Sequence, residues 1–288
     1  LFAEMYKPMM MDNIHVEAPD CYRCPYGKQR GSCDCACIEH AERAFAEHGK
    51  ETAAMIVEPL LQGSAGMRIY PEEYLRKLRA LCDAHDVLLI ADEIATGFGR
   101  TGRLFACERA GISPDLMCLS KGLTGGYLPM SITVVKEKIY EAFYADWSEG
   151  KAFMHSHTYA GNPLGCAAAL AVLDILDEEN VLEQAENTAA WLTERMTDAF
   201  GAHQSVGEIR HIGLIHAVEL VEDRAEKRPF DGKKRLGYAI YRRALKNGLL
   251  LRPLGNVLYF NPPLNIGKNN LEIAIERMKL SMDEVLGA

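Results

Sequence analysis

VLLIADEIATGFGRTG, residues 87–102, decides the fold, and DLMCLSKG, residues 115–122, completes the pattern. Each contains a continuous apolar run of strand length, Val87 to Ala91 and Leu116 to Leu119, and the first is of the kind that suits a parallel strand covered on both faces. Each run ends on a residue able to do chemistry. Asp92 closes the first, and Lys121 follows the second after Ser120. A glycine-rich loop and a short predicted helix, about Leu104 to Ala110, lie between them. In open α/β sheets ligands gather outside the carboxyl ends of the strands, so Asp92 and Lys121 are expected at one crevice.

Working outward, Thr52 to Val57 predicts a short buried strand stopped by Glu58-Pro59, and Ile38 to His48 a helix of mixed charge. Pro71 at a first helical position, with Glu72 and Glu73 behind it, starts a helix whose Tyr74, Leu75, Leu78, Leu81 and Cys82 form one stripe. Ser131 to Val135 predicts a third strand and Lys136 to Tyr144 a helix. Strands alternating with helices indicate an α/β architecture with a mostly parallel sheet. From Asn162 a long apolar helix leaves the sheet as a connector. Beyond it come an amphipathic helix (about Val181 to Phe200), alternating strands in Glu208 to Val221, a polar surface loop from Glu222 to Lys234, a helix from Lys234 to Asn247, strands near Leu250 and Val257, and a terminal helix. The expectation is a large α/β domain over 1–175 and a smaller α+β domain over 176–288.

Hydrophobic residues make up 48% of the 288, enough for a substantial core, and the net charge of −8 argues against an electrostatic nucleic-acid binder. No stretch approaches the roughly 20 apolar residues of a membrane span, and none resembles a signal peptide, which makes the cytoplasm the default. Nine cysteines, an odd count in a long chain, read most simply as reduced thiols. Five of them fall between Cys21 and Cys37. Their spacing fits zinc poorly, and the alternative is a thiol-lined surface excursion. The chain opens at Leu1 inside a helix-like stretch, Leu1 to Tyr6, and reads as a continuation.

A lysine amine can form a Schiff base with an aldehyde, and a carboxylate against a pyridine nitrogen keeps that ring protonated and electron-withdrawing. Together Lys121 and Asp92 suit pyridoxal phosphate (PLP), with a charge-assisted bond from Asp92 worth roughly 1.5–3 kcal/mol. For an isolated Asp and Lys, a turn cap and a solvated lysine are the plainer assignments. Gly97-Phe-Gly99-Arg-Thr-Gly102 also matches the dinucleotide pattern G-x-G-x-x-G, but five residues intervene between the strand and the first glycine, the wrong context for a phosphate turn. His155 and His157 form an H-x-H that could bind metal.

Three blocks decide among these: LLIADEIATGFGRTG (88–102), SPDLMCLSKGLTGGYLP (113–129) and HSHTYAGNPLGCAAA (155–169). Through them the chain resembles class III aminotransferases of the type I PLP fold across nearly its whole length. The resemblance implies Lys121 as the PLP lysine, Asp92 as the ring-nitrogen partner and Ile94 as the apolar residue on the ring face. It implies Thr158 as a phosphate contact supplied across a homodimer interface, with Ser156 and His157 bordering substrate. Arg252, in LRPLGNVLYFNPPL, matches the family's substrate-carboxylate arginine, a role suited to a planar guanidinium fork. Glu58-Pro59 and Gln62 match a supporting segment. Small-molecule amino donors and acceptors are implied, and no metal is. The family also carries a preceding N-terminal segment with a Gly-Ser phosphate turn and aromatics over the ring, none of which can be assigned in this chain.

Overall fold

The computed structural model describes residues 4–287. The expected N-terminal helix falls partly on Leu1 to Ala3, which lie outside the described residues, and Glu4–Met9 form a 3-10 helix. The chain then runs through α1 (Glu39–His48), β1 (Ala54–Val57), β2 (Leu61–Gln62), β3 (Arg68–Ile69) and α2 (Glu72–Ala84). β4 (Leu88–Asp92), α3 (Ala106–Ala110), β5 (Leu116–Leu119), β6 (Ile132–Val135) and α4 (Glu137–Glu141) complete the first layer.

Its sheet has the order β1-β4-β5-β6, with β1/β4 and β4/β5 parallel and β5/β6 antiparallel. The architecture is α/β, with the antiparallel strand at one margin. α1 and α2 cover one face, where Phe45, Cys82, Val87 and Leu89 cluster with Met55, Val57 and Leu81. Among the described residues β4 is not covered on both faces, contrary to what its apolar run predicts. Along β4 only Leu89 and Ala91 are fully buried, and on β1 the alternating Ile56 is 64% exposed. β6 is exposed along its whole length. Strand alternation puts every second side chain on the face that α1 and α2 do not reach.

Pro71 occupies the N-cap of α2 with φ −65° and ψ 148°, one position earlier than expected. The acidic first turn, Glu72 and Glu73, still complements the helix dipole. At the amino edge of the sheet Asp115, almost wholly buried, accepts from Leu89 N (2.9 Å) and Arg79 (2.7 Å) and pairs with Lys136 (3.0 Å). Burial pushes its carboxyl up, but these bonds outweigh it and hold the group well below the usual carboxylate range.

α5 (Pro163–Glu178) begins at Asn162, whose Oδ1 accepts from Leu164 N at 3.1 Å, with Pro163 in the first turn. Only Gly165 and Ala169 are buried, and Leu164, Leu170, Leu173 and Ile175 are exposed. α6 (Val181–Phe200) follows, then β7 (Val206–Ile212), β8 (Ile215–Asp223), β9 (Arg228–Pro229), α7 (Leu236–Lys246), β10 (Val257–Phe260) and α8 (Lys268–Leu286). β10-β8-β7 form an antiparallel sheet, and β9 pairs with β8. Leu192, Met196 and Phe200 of α6, Ile240 of α7 and Met278 of α8 pack on one face of it. Ile212, Ile215, Ala217 and Val257 on its other face join Leu60, Leu61, Met67, Tyr70 and Leu75, so the two sheets share a core.

Two local expectations fail here. No strand forms at Leu250, because Pro253 breaks the run, and pairing starts only with the Leu254–Val257 bridge. The Glu222 to Lys234 segment is not a simple loop. β9 lies within it, Lys234 and Arg228 pair with Glu222, and Lys227 Nζ donates to Tyr22 O at 2.7 Å.

Candidate active site

Parallel pairing places Asp92 opposite Cys118, and Glu93 N donates to Cys118 O at 3.0 Å just beyond. Lys121 is therefore three residues past the position facing Asp92, at the same carboxyl edge. Asp92 Oδ1 accepts from Ile94 N at 3.1 Å, a local turn that orients the carboxylate and commits one oxygen. Ile94 itself is half-buried. Lys121 opens a 3-10 turn, Lys121–Thr124, with φ +41° and an exposed side chain. A left-handed lysine costs on the order of 1–2 kcal/mol. Strain of that kind persists where the surroundings over-determine it, often at functional positions. Ser120 Oγ donates to Met130 O at 2.7 Å on one side. On the other, Gly122 packs so closely that an added Cβ would lie 2.9 Å from Phe98 Cβ.

Glu58 lies at the same edge. Burial raises its carboxyl pKa, Asp92 raises it further, and Gly63 N and Lys121 oppose the shift. Glu58 follows Val57, which pairs with Ala91, so it stands beside Asp92 at the end of the neighbouring strand. Tyr70 Oη donates to Glu58 O at 2.6 Å and fixes the backbone there. Gln62 Oε1 is buried without a hydrogen-bond partner. A free amine and a carboxylate with one uncommitted oxygen at one sheet edge fit an aldehyde-bearing, protonated pyridine such as PLP.

Other predicted residues are not brought to this edge by contacts within the chain. Ser156, His157 and Thr158 are exposed on the segment before α5, where His157 Nδ1 accepts from Tyr159 N at 3.2 Å. Arg252 is exposed beside Tyr259, whose hydroxyl is raised by burial and partly offset by that guanidinium. Among the described residues no hydrogen bond or ion pair joins Arg252 or Thr158 to Asp92 or Lys121. Sequence reasoning missed Glu93, which is fully buried and accepts from Ala106 N (3.0 Å), Cys107 N (2.8 Å) and Thr96 Oγ1. It caps α3 and holds the peptide between Asp92 and Ile94. No local signal announces it, because Glu93 stands 13 residues before Ala106.

The glycines of Gly97 to Gly102 serve packing. An added Cβ at Gly97 would meet Glu93 O at 2.9 Å, and one at Gly99 would meet Leu182 Cδ2 at 2.4 Å. Opposite them, a Cβ on Gly213 would lie 2.4 Å from Arg100 O. These residues form a close joint between the first layer and the β7–β8 hairpin, not a phosphate cradle at a helix N-terminus.

Cys21, Cys24, Cys33, Cys35 and Cys37 all line one cavity of about 270 Å³. Cys33 and Cys35 Sγ are 3.9 Å apart, and burial first, then neighbouring thiols, pushes Cys21 and Cys35 up to about 12. Among the described residues no three His, Cys, Asp or Glu side chains converge as metal ligands, and no helix is long and apolar enough to cross a membrane.

A family model for class III aminotransferases matches residues 2–282. Over all 288 residues the chain is 43% identical to adenosylmethionine-8-amino-7-oxononanoate aminotransferase of Geobacter sulfurreducens and covers 63% of it. The solved enzyme of that name from Methanocaldococcus jannaschii superposes with a TM-score of 0.88 at 33% identity, over 99% of this chain and 63% of that one. A PLP-bound amine transaminase from an uncultivated Pseudomonas species gives 0.87 at 35% identity, over 94% of this chain and 61% of that one. The chain thus spans about three fifths of the length of these relatives.

Proposed function

Because the chain belongs to the class III aminotransferases, we propose that the whole protein is a PLP-dependent aminotransferase of biotin biosynthesis, converting 8-amino-7-oxononanoate to 7,8-diaminononanoate with S-adenosylmethionine or lysine as amino donor. The observation that carries it is Lys121, held left-handed at the carboxyl edge of the sheet three residues past the position facing Asp92. The 43% identity to the Geobacter enzyme supports the choice of substrate.

PLP, when bound, supplies the electron sink for charge developing at the substrate carbon. Lys121 Nζ holds the aldehyde and, when free, takes and returns the proton at the amine-bearing carbon. General acid–base work of this kind contributes about 10² to 10⁴ in rate. Asp92 would keep the ring nitrogen protonated, and Ile94 would lie against the ring. Thr158 contacts the phosphate across a homodimer interface, which accounts for its exposure on a single chain. Ser156 and His157 border the substrate, and Arg252 clamps its carboxylate bidentately. The chain divides into a PLP-binding part, 1–175, and a smaller C-terminal domain, 176–288, and the protein works in the cytoplasm on small molecules.

The likeness to an amine transaminase, nearly equal in TM-score, supports a second reading, an ω-aminotransferase acting on a diamine or ω-amino acid. Assaying the complete purified protein with each donor separates them. Diaminononanoate formed with either donor supports the first reading. Turnover of a diamine or ω-amino acid without that product supports the second, and no transamination of any of these substrates contradicts both.

A further inference from the structure

Arg210 on β7 is only 4% exposed, yet much of its hydrogen-bonding capacity goes to backbone. Nε donates to Met67 O at 2.7 Å and Nη2 to Gly66 O, while Nη1 lies between Glu219 (2.6 Å) and Glu208 (2.7 Å). Arg23 donates to the other Glu219 oxygen. Nη1 is satisfied by the two carboxylates, of which Glu219 is the more buried and is shared with Arg23, and Nε and Nη2 are left to grip two successive carbonyls.

Those carbonyls belong to the turn between β2 and β3, 143 residues away in sequence. Its backbone is left-handed at two successive residues. Gly66 has φ +102° and Met67 φ +53°, a conformation that a long side chain adopts only when its surroundings impose it. Gly66 N and Met67 N both donate to Gly63 O (3.2 and 3.0 Å), and Gly63 N donates to Glu58 Oε1 at 3.4 Å. Glu58 feels the charges of Asp92 and Lys121, and Gln62, with its unpartnered buried oxygen, opens the same turn. A continuous set of bonds therefore runs from the second sheet through the turn to Glu58, which follows Val57, the β1 residue paired with Ala91 next to Asp92.

We propose that Arg210 is a positioning residue for the reaction, whose fork on Gly66 O and Met67 O fixes the turn that carries Gln62 and anchors Glu58 beside Asp92 and Lys121. The proposal rests on the assignment of Lys121 and Asp92 as the PLP site. Lysine at 210 keeps the charge but presents a single ammonium, which cannot hold two carbonyls and two carboxylates at fixed angles. Glu208→Gln leaves the fork on the carbonyls in place.

The test uses the complete protein and compares Arg210→Lys, Glu208→Gln and Lys121→Ala. Hydrogen exchange is followed without cofactor, and kcat, KM and the thermal midpoint are measured with it. In R210K, exchange across residues 62–68 should rise at least about tenfold relative to other segments. Its kcat should fall about tenfold to 10²-fold with KM little changed, the pattern of misplaced chemistry. E208Q should match wild type in both. Unchanged exchange or unchanged kcat in R210K overturns the proposal, as does a rise in exchange spread evenly over the chain. Should R210K fail to fold, Glu219→Gln loosens the same guanidinium and must give the same local rise, and its absence is equally fatal. K121A separates the two layers of argument. If K121A keeps full turnover the site assignment fails, and if K121A is inactive while R210K behaves as wild type only the role of Arg210 fails.

Discussion

Asp92 and Cys118 face each other in the parallel pairing of β4 and β5, and that register is what sets Lys121 at the edge where Asp92 ends its strand. A shift of one residue would turn the Asp92 side chain to the opposite face of the sheet. The strand pair is therefore the frame for the chemistry, and the residues around it either tension that frame or use it.

Asp92→Asn preserves shape and the bond from Ile94 N but removes the charge. In the complete protein kcat should fall roughly 10²- to 10³-fold, the usual loss when one electrostatic partner of a reacting group is removed. The thermal midpoint should stay within a few degrees. A single-turnover rate close to wild type would show that Asp92 is not the ring-nitrogen partner.

His216 gives a pH signature to the β7–β8 hairpin. It is fully buried, shares a hydrogen bond with Thr193 Oγ1 at 2.9 Å, stacks on His211 at 5.1 Å, and its Nδ1 lacks a partner. Burial first, then His211, lowers its pKa from 6.5 to about 3. The unfolded histidine takes a proton below its ordinary pKa while the folded one stays neutral. Its contribution is thus intact above about 6.5 and is lost as pH falls toward 3, at up to about 1.4 kcal/mol per pH unit. Denaturant titrations at about pH 7 and pH 5 should show a stability loss in wild type that His216→Gln reduces. Parallel losses in both proteins would remove His216 as the cause.

Gly213→Ala tests the joint under the glycine run. The added methyl would meet Arg100 O at 2.4 Å and Thr101 C at 2.6 Å, at φ +51°. Overpacking against backbone should cost at least about 1–3 kcal/mol. Gly232→Ala, where nothing lies within 4 Å and φ is ordinary, should be neutral. Equal chemical-denaturation midpoints for the two variants would contradict the packing role.

Much of this was legible in the residues. Apolar runs located β4 and β5 to within a residue, and the 3.6-residue period located α6 at Val181–Phe200. Asp92 and Lys121 followed from where those strands stop. What periodicity reports is a surface that needs cover, not what covers it. Ile56, in a strand expected to be buried, is exposed within this chain, as are the whole of β6 and Leu170 on α5. Long-range partners were equally hidden. Glu93 reaches Cys107 N across 14 residues and Arg210 reaches Met67 O across 143, and no local pattern announces either bond. Pro253 did carry a warning against a strand near Leu250, which the neighbouring leucines masked.

Borohydride reduction of the PLP-loaded complete protein, followed by peptide mapping, tests the central assignment most directly. A single pyridoxyl adduct on Lys121 is the predicted result. An adduct on another lysine, or none, would contradict it.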